Sequence, residues 1–134
     1  MTSIELETSH VERTILQMNN HVPSRGTIIV EGDVFAIDKL WKNDSDVYIN
    51  RKLEGGYKDN RELAKYMNSK KDIMEGKVEI PPIMWIRISK QITEIRFTNG
   101  RNRFANLRDV GIKTIPIVIE KKQLGDFRKL GLIA

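Results

Sequence analysis

The stretch Phe97-Thr98-Asn99-Gly100-Arg101-Asn102-Arg103-Phe104-Ala105 constrains this chain more than any other part of it. It predicts a strand that ends, a glycine that lets the backbone turn tightly, and a helix that begins at once. The helix covers Arg101 to Val110 and is closed by Gly111. Ile115-Pro116-Ile117-Val118-Ile119 follows as a buried strand, its proline near the start or on an edge. A β–loop–α–β unit is therefore expected at the C-terminal end.

The turn also carries a chemical expectation. The first N–H groups of a helix have no intrahelical partner and bear a partial positive charge, so they form a ready anion site. Arg101 and Arg103 within that first turn oppose the helix dipole, where Asp or Glu would be favoured. A phosphate held between the dipole and the two guanidinium forks accounts for them. The competing reading is a solvated arginine pair, with Asn99 capping and Phe104, Leu107 and Val110 packing the helix on the sheet.

The rest of the chain reads as mixed α and β. Ser9 and Glu12 form a capping-box pattern ahead of Val11, Ile15 and Met18, which predicts a helix near residues 10–20. Thr27 to Val30 is a β-branched strand, and Gly32-Asp33 is a turn. Val34 to Trp41 is expected to pass from strand into a helical turn. Lys42 to Gly56 is polar and reads as a surface loop. Asp59 and Glu62 open a second helix of about 15 residues, ended by Gly76. Pro81-Pro82 leads into a strand over Ile83 to Ile88, and Ile92 to Phe97 is its antiparallel partner. Leu124, Phe127 and Leu130 mark a short amphipathic helix. The expected fold class is α+β (mixed α/β), a small mixed sheet flanked by helices in a single domain over 1–134.

Charge narrows the partners. The net charge of +5 divides into −2 for residues 1–67 and +7 for residues 68–134. A basic half of this kind suits a polyanion: nucleotide, nucleic acid or an acidic protein. The absence of cysteine removes disulfides, thiol catalysis and cysteine-based zinc sites. No apolar run approaches the roughly 20 residues that span a bilayer. Glu5 and Glu7 without an apolar core are unlike a secretory signal, so a cytoplasmic location and no membrane are expected.

Phe97 to Arg108, then Gly111 and Ile115-Pro116-Ile117-Val118, resembles the ParB/sulfiredoxin-like superfamily over roughly residues 78–120. That family shows a strand, a D-G-x-H-R or G-x-R-R turn, an alanine-bearing helix, a glycine and an IPV-V strand. The resemblance implies that the turn holds nucleotide phosphates, with a nucleoside triphosphate and Mg²⁺ as the ligand. By that resemblance Asn99 and Gly100 shape the turn, the N–H groups of Asn102 and Arg103 grip phosphate, and Arg101 and Arg103 neutralise it. The departures matter equally. Asn99 stands where the family's Asp is frequent, Asn102 where its His is frequent, and Arg101 at the position of sulfiredoxin's catalytic cysteine. Sulfiredoxin chemistry is excluded, and no motif side chain exchanges a proton near neutral pH.

Other residues are weighed in the same way. Glu31, Asp33 and Asp38 surround a turn and are weak Mg²⁺ or base candidates, with turn and cap roles as the simpler reading. Trp41 and Trp85 read as core anchors. Arg87, Arg96 and Arg108 are candidates for a shared nucleic-acid face. Three functions follow: a nucleotide- or phosphate-binding protein with hydrolase or nuclease chemistry; an interaction protein of plasmid or phage type, inhibitory or immunity-related, that keeps the fold without turnover; and sequence-tolerant DNA binding.

Overall fold

Asp33 settles how the first half folds. In the computed structural model, which describes residues 5–134, its Oδ1 accepts the Ala36 N–H at 2.9 Å. It thereby caps a helix over Val34–Trp41 (α2). The expected passage from strand to helical turn is corrected: every residue from Val34 to Trp41 is helical. The strand before it, β1, spans Thr27–Asp33 and so absorbs the Gly32-Asp33 turn.

The remaining elements are α1 (Thr8–Asn19), α3 (Asn60–Met74), β2 (Ile83–Ile88), β3 (Thr93–Asn99), α4 (Arg101–Asp109), β4 (Thr114–Glu120) and α5 (Leu124–Lys129). Short 3₁₀ turns cover Arg51–Leu53 and Lys121–Gln123. The architecture is α+β, as expected. Helix α1 begins earlier than its capping signal suggested. Glu7 is the cap, its N–H donates to His10 Nδ1 at 3.1 Å, and Ser9 lies inside the helix. For α3 the signal holds, since Asp59 Oδ1 accepts the Glu62 N–H at 2.9 Å.

The four strands form one mixed sheet in the order β1-β4-β2-β3. β1 and β4 are antiparallel from Thr27↔Glu120 to Asp33↔Thr114. β2 and β3 form an antiparallel hairpin. β4 meets β2 in parallel at Ile83↔Val118. Past that pair a side chain takes over: Gln123 Nε2 donates to the Ile86 carbonyl and its Oε1 accepts the Ile86 N–H, both at 2.9 Å. Pro116 sits third in β4, ahead of the β2 contact, so its missing N–H interrupts no ladder there.

The core is built from the inward faces of these elements. Trp41, Ile37, Ile95, Phe104, Leu107, Ile117, Ile119 and Phe127 are fully buried. Trp41 meets Phe97 and Phe104 edge-on, with ring centroids 4.9 and 5.7 Å apart. Each such side chain contributes roughly 1.5–3 kcal/mol through burial. Trp85 departs from its expected role: its neighbours Met84 and Ile86 face the core, and Trp85 lies 39% exposed on the opposite face. Val110, expected to pack α4 on the sheet, is exposed as well.

Candidate phosphate site at the start of helix α4

Gly100 adopts a left-handed backbone, φ +86°, between the end of β3 and the first turn of α4. No side chain fits there. A Cβ would lie 2.8 Å from Arg103 Nη2 and 2.9 Å from Pro82 Cα. The guanidinium of Arg103 therefore folds back over the glycine it follows. This packing brings Asn99, Gly100, Arg101, Asn102 and Arg103 together on the wall of a cavity of about 580 Å³.

The opposite wall comes from α3, where Lys65, Asn68, Ser69 and Asp72 share one helical face. Lys77, Glu79 and Ile80 of the following segment complete it. That stripe went unnoticed in the sequence, although its spacing of three and four residues was readable; the apolar residues of the same helix dominated the pattern. Arg13 of α1 holds α3 in place by donating to the Ile73 and Met74 carbonyls at 3.0 and 2.6 Å.

Within the cavity wall, Arg103 Nε and Nη2 are buried and have no hydrogen-bond partner, and Asn102 Oδ1 and Ser69 Oγ are in the same condition. Burial pulls the Arg103 guanidinium below its usual pKa, partly offset by the Asp72 charge. Nε and one Nη form the fork that matches two oxygens of a phosphate or carboxylate. Leaving such donors buried and unpaired costs about 1–3 kcal/mol. Arg101 differs. Its Nη2 donates to both Glu62 oxygens, at 3.4 and 3.3 Å.

The other sequence candidates fall elsewhere. Asp38 and Arg108 are buried against each other at 3.0 Å, both side chains 1% exposed. Arg108 therefore cannot share a surface with Arg87 and Arg96, which corrects the expected three-arginine face. Those two spend their charge locally, with Glu94 Oε1 accepting from Arg96 Nε at 3.0 Å and Arg87 Nη1 at 3.5 Å. Asp33 is the α2 cap, and Glu31 lies on β1. Asp38 accepts from Tyr48, Arg51 and Arg108. These three carboxylates do not fit a Mg²⁺ site. No group of three or more His, Cys, Asp or Glu among the described residues could hold a metal ion. No helix among them is long and apolar enough to cross a membrane.

Compared by sequence, the chain matches no protein-family model and no curated protein. Compared by structure, it is similar to an oncogenic suppression activity protein, a plasmid fertility inhibition factor solved as a gold cyanide derivative. The TM-score is 0.53 at 14% identity, over 77% of this chain and 54% of the other. This chain thus spans about half the length of that neighbour. The likeness is one of fold.

Proposed function

We propose that this chain is a ParB/sulfiredoxin-like binding protein that holds a phosphate-bearing ligand at Asn99 to Arg103 and acts through occupancy rather than turnover. The observation that carries the reading is Arg103, which lines a cavity large enough for a small ligand and whose Nε and Nη2 are buried without a hydrogen-bond partner. Two donors kept in that state are a cost to the empty protein, and a phosphate removes it once the side chain turns both toward the cavity. The resemblance of the turn to a phosphate-binding motif supports the same ligand and makes a nucleotide the expected class.

Occupancy is favoured over chemistry by the residues at the turn. Asn99 and Asn102 replace the ionisable positions of the motif, and neither can exchange a proton. The likeness to a plasmid fertility inhibition factor agrees with an inhibitory role exerted on a partner. Nucleic-acid binding is less well supported, because Arg96 pairs with Glu94 and Asp44, Arg87 shares the same Glu94, and Arg108 is buried.

The test is calorimetric titration with inorganic phosphate, pyrophosphate and the nucleoside triphosphates, with and without Mg²⁺, on the chain and on Arg103→Ala. Binding by the chain and its loss in Arg103→Ala are expected. Absence of binding to every probe overturns the site, and multiple-turnover hydrolysis abolished by Arg103→Ala overturns the non-catalytic reading.

A further inference from the structure

We propose that the sheet face turned away from the core binds a second copy of this chain, forming a two-fold symmetric dimer. The proposal is independent of the phosphate reading, since none of the residues it uses lines the Arg103 cavity. Strand register divides the sheet into two faces. Val30, Ile117, Ile119, Met84, Ile86 and Ile95 point into the hydrophobic core. The alternate positions Ile29, Val118, Ile83 and Trp85 form a row on the other face. Ile92, two residues ahead of the Glu94 that pairs with Arg87, extends that row at the hairpin turn.

That row is apolar where water would favour polar side chains. None of its five members belongs to the core cluster. Val118 is buried, Ile29 and Ile83 are half-buried, and Trp85 and Ile92 are 39% and 43% exposed. A sheet with one wet face alternates apolar and polar residues, whereas strands apolar on both faces belong to sheets covered on both. Ile115-Pro116-Ile117-Val118-Ile119 in β4 and Ile83-Met84-Trp85-Ile86 in β2 are of the second kind. The core supplies the cover on one side only.

The charges on this face select a second copy as the other cover. Glu94 is met by Arg96 at 3.0 Å, and Glu120 by Lys122 at 3.2 Å. Arg87, toward the end of β2, reaches Glu94 only at 3.5 Å, and its side chain is 52% exposed. Glu31 and the cap residue Asp33 stand exposed at the end of β1. β1 runs antiparallel to β4 and β2 runs parallel to it, so these two ends lie at opposite edges of the sheet. One end of the apolar row is thus acidic and the other basic. An oblique two-fold axis in the plane of the face turns one copy end for end over the other. Each Arg87 then comes to the acidic end of the second copy, with the apolar rows stacked between. Sheets packed face to face lie about 10 Å apart, with their inner side chains interdigitated. An acidic partner of another kind would satisfy only the Arg87 end.

The experiment is sedimentation equilibrium of the full chain over a wide range of protein concentration, with circular dichroism to check that each variant is folded. A concentration-dependent equilibrium between monomer and dimer is expected, and Trp85→Thr should shift it to monomer. Glu31→Arg and Arg87→Glu should each weaken the dimer roughly tenfold, because every contact in a two-fold interface occurs twice. The Glu31→Arg, Arg87→Glu double variant should recover the affinity of the original chain. A chain that stays monomeric at every concentration overturns the proposal. So does a dimer that Trp85→Thr leaves unchanged, or a double variant that associates no more tightly than either single one.

Discussion

Arg108 and Asp38, 70 positions apart, meet at 3.0 Å where neither side chain reaches solvent. The contact joins α4 to α2, and Asp109 Oδ1 adds a second acceptor at 2.8 Å. Burial disfavours the charge on Arg108, yet its carboxylate partners Asp109 and Asp38 hold the guanidinium above its ordinary pKa. Removing Arg108 leaves Asp38 with only Tyr48 and Arg51 and takes the donor from the Ile49 and Asn50 carbonyls. Arg108→Ala should therefore cost about 3–5 kcal/mol in chemical denaturation, as for a broken buried ion pair. The Asp38→Asn, Arg108→Met double variant should cost less than Arg108→Ala alone. Equal losses would show that the pair acts only through packing.

Arg103 makes the opposite prediction. Its buried donors lack partners, so the fork contributes nothing favourable to the empty fold. Arg103→Ala should leave the thermal midpoint unchanged or raise it while abolishing phosphate affinity. A destabilised variant would mean that Arg103 is a structural residue.

Gly100 and Gly111 share a φ of +86° and differ in surroundings. A Cβ at Gly111 meets nothing within 4 Å, whereas one at Gly100 meets Arg103 and Pro82. Alanine at either position should cost about 1–2 kcal/mol for the left-handed backbone. Only Gly100→Ala should also lose phosphate affinity, because it displaces the Arg103 fork. Thermal melts and titrations of the two variants side by side distinguish the effects.

Alkaline pH should weaken the fold through Tyr48 and Tyr66. Burial first, then the Asp38 charge, pushes Tyr48 from 10.0 to about 12. Burial and the hydrogen bond to Asp109, 2.7 Å long, push Tyr66 up as well. A raised pKa means that the folded chain keeps a proton the unfolded chain gives up. The associated stability is complete below pH 10 and declines as pH rises toward 12. Denaturation midpoints across this range should fall, and the fall should be shallower in Tyr66→Phe.

What the sequence disclosed was local. The α3 cap at Asp59, the β2–β3 hairpin, the glycine turn and the strand through Ile117 were all readable, because short-range patterns determine them. Helix α2 was misread since Val34, Phe35 and Ile37 favour strands, while the single cap at Asp33 prevailed. The five turn residues are consecutive in the sequence, but the α3 wall facing them depends on how two helices cross. Arg108 illustrates the same limit. Its charge suggested a surface, and only tertiary structure brings Asp38 within reach to bury it.

Gln123 has a consequence for motion. Beyond Ile83 and Val118 the boundary between β2 and β4 is closed by one amide side chain instead of a ladder. The sheet is thus two antiparallel ribbons joined along a seam. Opening that seam breaks few hydrogen bonds, so motion of the β2–β3 ribbon against β1–β4 is restrained by side-chain packing in the shared core, where Met84, Ile86 and Ile117 lie, rather than by a ladder. Asn99 ends that ribbon, so the same packing holds the turn that carries Arg103.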